Sequence, residues 1–464
     1  MSSVPASGVP AIASQPRDVD GRTCALRACS TAIAPDATGV RISTPVKALK
    51  RIPGGRAGLS ALSVAWDAAA PRTYFHAACF DRLCQHKPPI SPTEDKLLGA
   101  CTFSAETFQP LAEARAFAKE LAQLIRRSAH TVAFTGAGIS VSAGIPDYRG
   151  TAGIDVLGEL GVAAGAATGW RRAGGEEAEE GGAAAGGSAT GRGEKRAKTG
   201  ASASASASAS ASAPPPSAEQ QALEAAVEAS ESYTRLRPTL THRTLKDLHA
   251  AALLHYVISQ NCDGLHARSG LPRHALSELH GNVFVEFCER CSAEYPRPYC
   301  VDLNSTDSRG APWHEECPQC HWGHYTGRLC ERAGCGGRLR DTIVNFGDDL
   351  HDAVLGGLPR AEQECRKATL ILCLGSSLTV TPASELPTLM KRRKGALAIV
   401  NLQETEHDAV CALRLFYDLD DFCALLREEL GEGEGGQGFS AAAPPQGAAA
   451  AGGGAGSAGG KASH

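Results

Sequence analysis

Short apolar, β-branched runs that each stop in a glycine- or amide-bearing cluster constrain this chain more than any other feature. Leu253, Leu254, Val257 and Ile258 are apolar enough for a buried strand, and Gln260, Asn261 and Asp263 follow where that strand ends. Thr131–Phe134 runs into Gly136-Ala137-Gly138, Thr369–Leu374 into Gly375-Ser376-Ser377, and Leu397–Val400 into Asn401-Leu402-Gln403. Helical spacing lies between them. Leu111, Ala114, Phe117, Ala118, Leu121 and Ile125 recur at three and four residues, with Arg126 and Arg127 suited to the negative end of the helix dipole. Leu240–His249 predicts a second helix with Thr241 as its N-cap, and a third, after Leu413–Tyr417, ends near Leu430. Strand and helix in alternation predict a parallel α/β sheet, whose ligands bind outside the carboxyl ends of the strands.

Composition removes several classes. A net charge of −4 gives no electrostatic case for nucleic acid as the main partner. Among all 464 residues no apolar run reaches the roughly 18 needed to cross a bilayer, so no membrane partner is expected. Asp18 and Asp20, with no apolar stretch beside them, argue against a secretory signal; an Ala/Ser/Arg-rich organelle leader stays open. The 17 cysteines are an odd number with several in close pairs, which fits metal ligation in a reducing compartment better than a secreted disulfide scaffold.

Three segments read as poor in packed core. Residues 1–90 are Ala/Pro/Ser/Arg-rich and expected to be mostly flexible, with Cys79, Cys84 and His86 more incidental than metal-binding. Residues 161–230 carry glycine and acidic clusters, six Ala-Ser repeats and Pro214–Pro216, and are expected to form a disordered insertion because they cannot bury enough apolar area to offset ordering entropy. The basic run from Gly193 to Lys198 within it reads equally as a nuclear-import signal or a solvated charge run, and Lys391–Lys394 as a solvated loop. Residues 431–464 form a linker-like Gly/Ala tail.

The candidate chemistry follows from the clusters. Gln260 and Asn261 can hydrogen-bond an amide or a sugar hydroxyl, and Asp263 can hold a charge. His280, in His280-Gly281-Asn282 beside Glu278, is a candidate general base or a plain turn residue. The turn Gly136-Ala137-Gly138 resembles the phosphate-approaching glycines of nucleotide-binding units, yet Val141 breaks the GxGxxG spacing and no acid ends a later strand, which disfavours a standard dinucleotide dehydrogenase. Gly144–Gly150 forms a constrained loop presenting Asp147, Tyr148 and Arg149. Cys288/Cys291, Cys317/Cys320 and Cys330/Cys335 are three close pairs where one four-thiolate zinc site needs two.

Taken in order, GAGIS with GIPDYRG, SQNCDGLH, LHGN, the paired cysteines, LRDTIVNFGD, LGSSLTV and IVNLQ resemble the sirtuins, NAD-dependent protein-lysine deacylases. The resemblance covers 91–430 outside the insertion, and LTHRTLKDLH, QNCDGLHARSGLPRHALSELHGN and LRDTIVNFGD are most similar to the class IV branch with the nuclear and nucleolar sirtuins six and seven. It implies a Rossmann-like domain with a small zinc module over 284–340. Under it His280 matches the catalytic base, with Asn261 and Asp263 holding the nicotinamide end beside Gln260. Gly136, Ala137, Gly138, Ile145, Asp147, Tyr148 and Arg149 match the cofactor loop, and Gly375, Ser376, Ser377, Asn401 and Gln403 the adenosine half. Val344, Phe346 and Gly347 match the segment that pairs with substrate backbone. In the family the last cysteine pair immediately precedes the LRDTI strand, so the resemblance implies Cys288, Cys291, Cys330 and Cys335 as ligands of Zn2+ and leaves Cys317 and Cys320 to an insertion, with Cys300 or His314 as companions in a weak second site.

The implied reaction moves the acyl group of a lysine onto ADP-ribose with release of nicotinamide, His280 deprotonating a ribose hydroxyl. Expected partners are acylated protein lysines, histone tails among them, with chromatin association and a nuclear location. Mono-ADP-ribosyl transfer and a weakly catalytic chromatin scaffold are the alternative readings. Three departures bear on the cofactor loop: Val141 replaces a hydroxyl residue, Tyr148 the commoner Phe, and Gly153-Ile154-Asp155 a Gly-Val-Trp segment.

Overall fold

The computed structural model describes residues 17–44, 46–52, 55–67, 69–70, 72–102, 105–147, 233–301, 317, 319, 323–390, 395–433 and 437–439. The expected insertion, Tyr148, Arg149, Gly153–Asp155, His314, Cys320, Lys391–Lys394 and the tail beyond 439 lie outside them.

The N-terminal region departs from expectation. Strand β1 (Gly39–Ser43), two short helices α1 (Val46–Leu49) and α2 (Gly55–Ser60), strand β2 (Arg72–His76), helices α3 (Ala77–Cys84) and α4 (Pro92–Thr102), and strand β3 (Glu106–Phe108) form a folded unit. Its sheet runs β2-β1-β3, antiparallel throughout. Leu26, Ile42, Val64, Trp66, Phe75 and Leu83 make its core. Strands of three to five residues between Ala/Pro-rich loops are too short to show periodicity, which is why the expectation of flexibility up to residue 90 fails for the described part. The unit is fastened to the rest of the chain by backbone: the Thr107 amide donates to the Leu402 carbonyl at 2.7 Å.

Helix α5 (Leu111–Arg127) and strand β4 (Thr131–Thr135) open the main domain. Helix α6 (Leu240–Ala250), β5 (Tyr256–Ser259), α7 (Leu265–Arg268) and β6 (Leu276–Glu278) follow. Then come the four strands β7 (Val285–Cys288), β8 (Glu294–Pro296), β9 (Tyr325–Leu329) and β10 (Arg338–Asp341), which form a separate antiparallel sheet in order β8-β7-β10-β9. Helix α8 (Leu358–Lys367), β11 (Leu370–Leu374), β12 (Ala396–Val400), β13 (Leu413–Leu415) and α9 (Leu419–Leu430) complete it.

The main sheet is parallel, in order β13-β12-β11-β4-β5-β6. Its strands alternate sides: Ala133, Val257, Leu372 and Ala398 face a core with α5, α6 and α9, while Phe134, Ile258, Ile371 and Ile399 face one with α8. Burial on both faces is why these strands read as continuous apolar runs. From β4 the chain adds strands in one direction, then returns to β11 on the other side. The switch point between β4 and β11 puts the Gly136 and Gly375 turns side by side at the carboxyl edge.

Local details also differ from expectation. Thr239, not Thr241, caps α6: its hydroxyl accepts from the His242 amide and the His242 ring reaches back to the Thr239 amide. Leu253 and Leu254 precede β5, closing α6 through amides bonded to the Leu248 carbonyl. The tail expected to be linker-like from 431 pairs Glu432–Gly433 with Gln437–Phe439, and Phe439 is buried against the main core.

Candidate active site

The carboxyl ends of β4, β5, β6 and β11 converge on one buried polar network. Beyond β4, residues Ala137–Ala143 wind into a 3-10 helix. A Cβ added to Gly136 would lie 2.7 Å from the Gly375 carbonyl, and one on Gly138 would lie 2.7 Å from the Gly375 Cα. The glycines of the first turn are therefore required by the backbone of the neighbouring turn, a packing reason the sequence did not disclose.

Past β5, the Asn261 amide group donates to the Gly136 carbonyl at 3.1 Å and to Ser140 Oγ at 3.2 Å. Ser140 Oγ donates to Asp263 Oδ2 at 2.6 Å, and Asp263 Oδ1 accepts the Leu265 amide at 2.8 Å. Ser140, Asn261 and Asp263 are all buried. Gln260 Oε1 accepts from Ser376 Oγ at 2.6 Å, joining the turns after β5 and β11.

His280 stands just beyond β6. Its Nδ1–H donates to the Gln260 carbonyl at 2.9 Å, which leaves Nε2 with the lone pair and no partner among the described residues. Burial pushes its pKa below the ordinary histidine value, opposed by that carbonyl, so the ring is neutral at pH 7. Gly281 has φ +94°, and an added Cβ would overlap the Thr342 carbonyl. Asn282 donates to Glu278 Oε1 at 2.8 Å, and burial raises the Glu278 carboxyl to about 7.

The Val344 amide donates to the His280 carbonyl at 3.1 Å, Gly347 has φ +104°, and Phe346 is 86% exposed. Asn401 Nδ2 donates to the Gln403 carbonyl at 3.0 Å, and Ser377 Oγ lies 3.0 Å from Thr379 Oγ1. Ala137, Ile145 and Asp147 are half-buried on the glycine turn and the loop after it. Ser140, Thr239 and Asp420 were missed from sequence. Thr239 Oγ1 bonds the Ile139 carbonyl at 2.9 Å, and Asp420 accepts from Ser142 Oγ at 2.7 Å and from the Thr241 amide at 2.8 Å, pinning the 3-10 helix between α6 and α9. The Thr239-x-x-His242 capping pattern after Pro238 was the available signal. A cavity of about 630 Å³ lies beside this pin, lined by Ser142, Arg237, Thr239, Arg243 and Asp420 among others. Asn261, Asp263 and His280 do not line it, so chemistry is assigned from the polar network rather than from cavity size.

Cys288, Cys291, Cys330 and Cys335 converge as free thiols, with ligand atoms within 4.8 Å of one another. The Cys288–Cys335 and Cys291–Cys330 sulfurs are 3.6 and 3.7 Å apart. Sulfurs about 2.3 Å from a tetrahedral zinc lie at roughly these separations, so the donor set fits the metal. Gly337 is needed here, since a Cβ on it would press against Cys288 Sγ. Cys317, expected with Cys300 or His314, instead groups with His324 and Asp348.

The Sir2 family model matches residues 205–382, a span that holds the His280 and cysteine segments and leaves out the glycine turn on the far side of residues 161–230. The NAD-dependent protein deacetylase SRT1 of Arabidopsis thaliana is 34% identical over 304 residues, 66% of this chain and 47% of that protein. The NAD-dependent protein deacetylase sirtuin-7 of Homo sapiens is 35% identical over 327 residues, 69% of this chain and 61% of that protein. The NAD-dependent protein deacetylase Sirt6 of Drosophila melanogaster is 29% identical over 353 residues, 75% of this chain and 86% of that protein. The chain thus spans about half the length of the first of these relatives and less than two thirds of the second. With a parallel sheet, a four-cysteine module and this pattern of likeness together, the chain carries a Sir2 family domain and is similar to sirtuin-7 and Sirt6, which matches the class IV resemblance.

Proposed function

We propose that this chain is an NAD-dependent protein-lysine deacylase, carried by one observation: His280 is half-buried, neutral and held with Nε2 free beside the Asn261–Ser140–Asp263 network. NAD, when bound, supplies an electrophilic ribose carbon and an ADP-ribose acceptor for the acyl group. His280 Nε2 takes a proton from a ribose hydroxyl, while the Gln260 carbonyl keeps Nδ1 protonated and the ring in that tautomer. Asn261 and Asp263 orient the carboxamide end, their own positions set by Ser140. Gly136, Ala137, Gly138, Ile145, Asp147, Tyr148 and Arg149 form the cofactor loop, and Gly375, Ser376, Ser377, Asn401 and Gln403 take the adenosine half. Val344, Phe346 and Gly347 receive the substrate backbone; the exposed Phe346 ring and the left-handed Gly347 suit an edge that a peptide covers.

Zn2+ on Cys288, Cys291, Cys330 and Cys335 is structural, since four protein ligands leave no open position. Acylated lysines of histone tails are the substrates and the nucleus the location, a reading supported by the class IV resemblance and the basic run at 193–198. Nicotinamide release measured by chromatography, with acetylated and long-chain-acylated histone peptides, tests the activity. Release that requires the acyl group and is lost in His280→Tyr supports the proposal; equal release with and without acyl-lysine defeats it.

A further inference from the structure

The N-terminal unit brings together two pairs of metal-ligating side chains that lie far apart in sequence. Cys24, Cys29, His76 and Cys79 place their ligand atoms within 4.8 Å of one another, the same closeness as Cys288, Cys291, Cys330 and Cys335. Cys29 Sγ is 3.5 Å and Cys79 Sγ 4.0 Å from His76 Nδ1. A tetrahedral zinc with Zn–S of about 2.3 Å and Zn–N of about 2.0 Å holds its donors at close to these separations. All three cysteines are free, and Cys24 is buried.

The surroundings are built for ligation. His76 Nε2 lies 3.2 Å from the Ala32 carbonyl. Donating Nε2–H there leaves the Nδ1 lone pair facing the thiols, the orientation that a ligating histidine needs from its outer partner. Thr31 Oγ1 lies 3.1 Å from Cys29 Sγ and can donate to it as a thiolate. The cysteine knuckle is held open by backbone bonds: the Cys24 amide donates to the Thr31 carbonyl at 2.8 Å and the Cys29 amide to the Leu26 carbonyl at 2.8 Å. His76 ends β2 and Cys79 lies in the first turn of α3, so the strand-to-helix junction fixes the second pair. Of the three residues read as incidental, Cys79 joins this cluster while Cys84 is exposed and His86 pairs with Asp95.

We propose that Cys24, Cys29, His76 and Cys79 bind a second Zn2+, structural in role, that clamps the N-terminal loop to the β2–α3 junction. Binding releases the three thiol protons to solvent, takes the imidazole neutral and leaves no open coordination position, so the site supports folding rather than catalysis. It closes a long loop in a unit whose own core is small, the situation in which a metal contributes most.

Zinc in the purified full-length protein, counted by inductively coupled plasma mass spectrometry, tests this. The double variant Cys24→Ser/Cys79→Ser carries one zinc fewer per chain than wild type, and Cys84→Ser carries the same number. An unchanged count in Cys24→Ser/Cys79→Ser overturns the site. Should that variant misfold, iodoacetamide labelling of the wild type decides: Cys24, Cys29 and Cys79 are protected about tenfold relative to Cys84 until a chelator is added. Equal labelling of those three before and after chelation overturns the proposal.

Discussion

Ser140 is the residue whose loss tests the geometry of the network most sharply. It is 1% exposed, donates to Asp263 at 2.6 Å and accepts from Asn261 at 3.2 Å. Ser140→Ala leaves Asp263 Oδ2 buried without its donor, while Oδ1 keeps the Leu265 amide and Asn261 keeps the Gly136 carbonyl. A hydrogen bond to a buried charged group contributes about 1.5–3 kcal/mol, and the loss in unfolding free energy should fall there. Ser142 is the control: it is exposed and donates to Asp420, so Ser142→Ala should cost under about 1 kcal/mol. Urea unfolding of both variants reads the difference. Because Ser140 sets Asn261 and Asp263, nicotinamide formation in Ser140→Ala should also drop about 10- to 100-fold, equivalent to about 1.4–2.7 kcal/mol of barrier. If Ser140→Ala matches Ser142→Ala in stability to within about 0.5 kcal/mol and turns over normally, the network does not position the site.

Three further outcomes follow from the same geometry. Gly281→Ala forces a Cβ onto the Thr342 carbonyl at a left-handed φ, and should lower thermal stability by at least about 2 kcal/mol, read by circular dichroism. The His280 pKa is lowered by partial desolvation, so the acid limb of the deacylation rate should lie below pH 6.5; a limb above that value contradicts a desolvated base. His266, bonded to Thr135 at 2.9 Å and packed on His242, is held by burial at a pKa of about 3. A histidine depressed in the folded state contributes stability that is full above 6.5 and lost as pH falls toward 3. Between pH 7.5 and 5.5, wild type should therefore lose about 1.4 kcal/mol relative to His266→Gln. Measuring the difference between the two proteins removes the opposing effect of Glu278, whose raised carboxyl gains stability as pH falls through 7. A difference that stays constant across that range contradicts a neutral His266.

The main sheet was legible because both its faces are covered, so that β4, β5, β11 and β12 announce themselves as apolar runs with polar ends. The partners that bring those ends together were not. Ser140, Thr239 and Asp420 each bond to partners 100 residues or more away, and single-sequence periodicity holds no record of such contacts. The glycines of the first turn were read as making room for phosphate, whereas their nearest constraint is the backbone of Gly375. The N-terminal unit was misread because its strands have three to five residues and part of its cohesion comes from ion pairs such as Arg41–Glu106 rather than from apolar stripes. Cys79 was weighed only beside Cys84 and His86, its neighbours along the chain, and read with them as incidental. His76, the ligand that joins Cys79 to Cys24 and Cys29, stands at the end of a strand that the composition hid.

Mass spectrometry of all products formed when the purified protein meets an acetylated histone peptide and NAD decides whether His280 serves acyl transfer. A deacylase removes the acetyl group from the peptide, forms nicotinamide and O-acetyl-ADP-ribose in equal amounts, and does none of the three as His280→Tyr. A peptide that keeps its acetyl group and gains the mass of ADP-ribose would contradict that role.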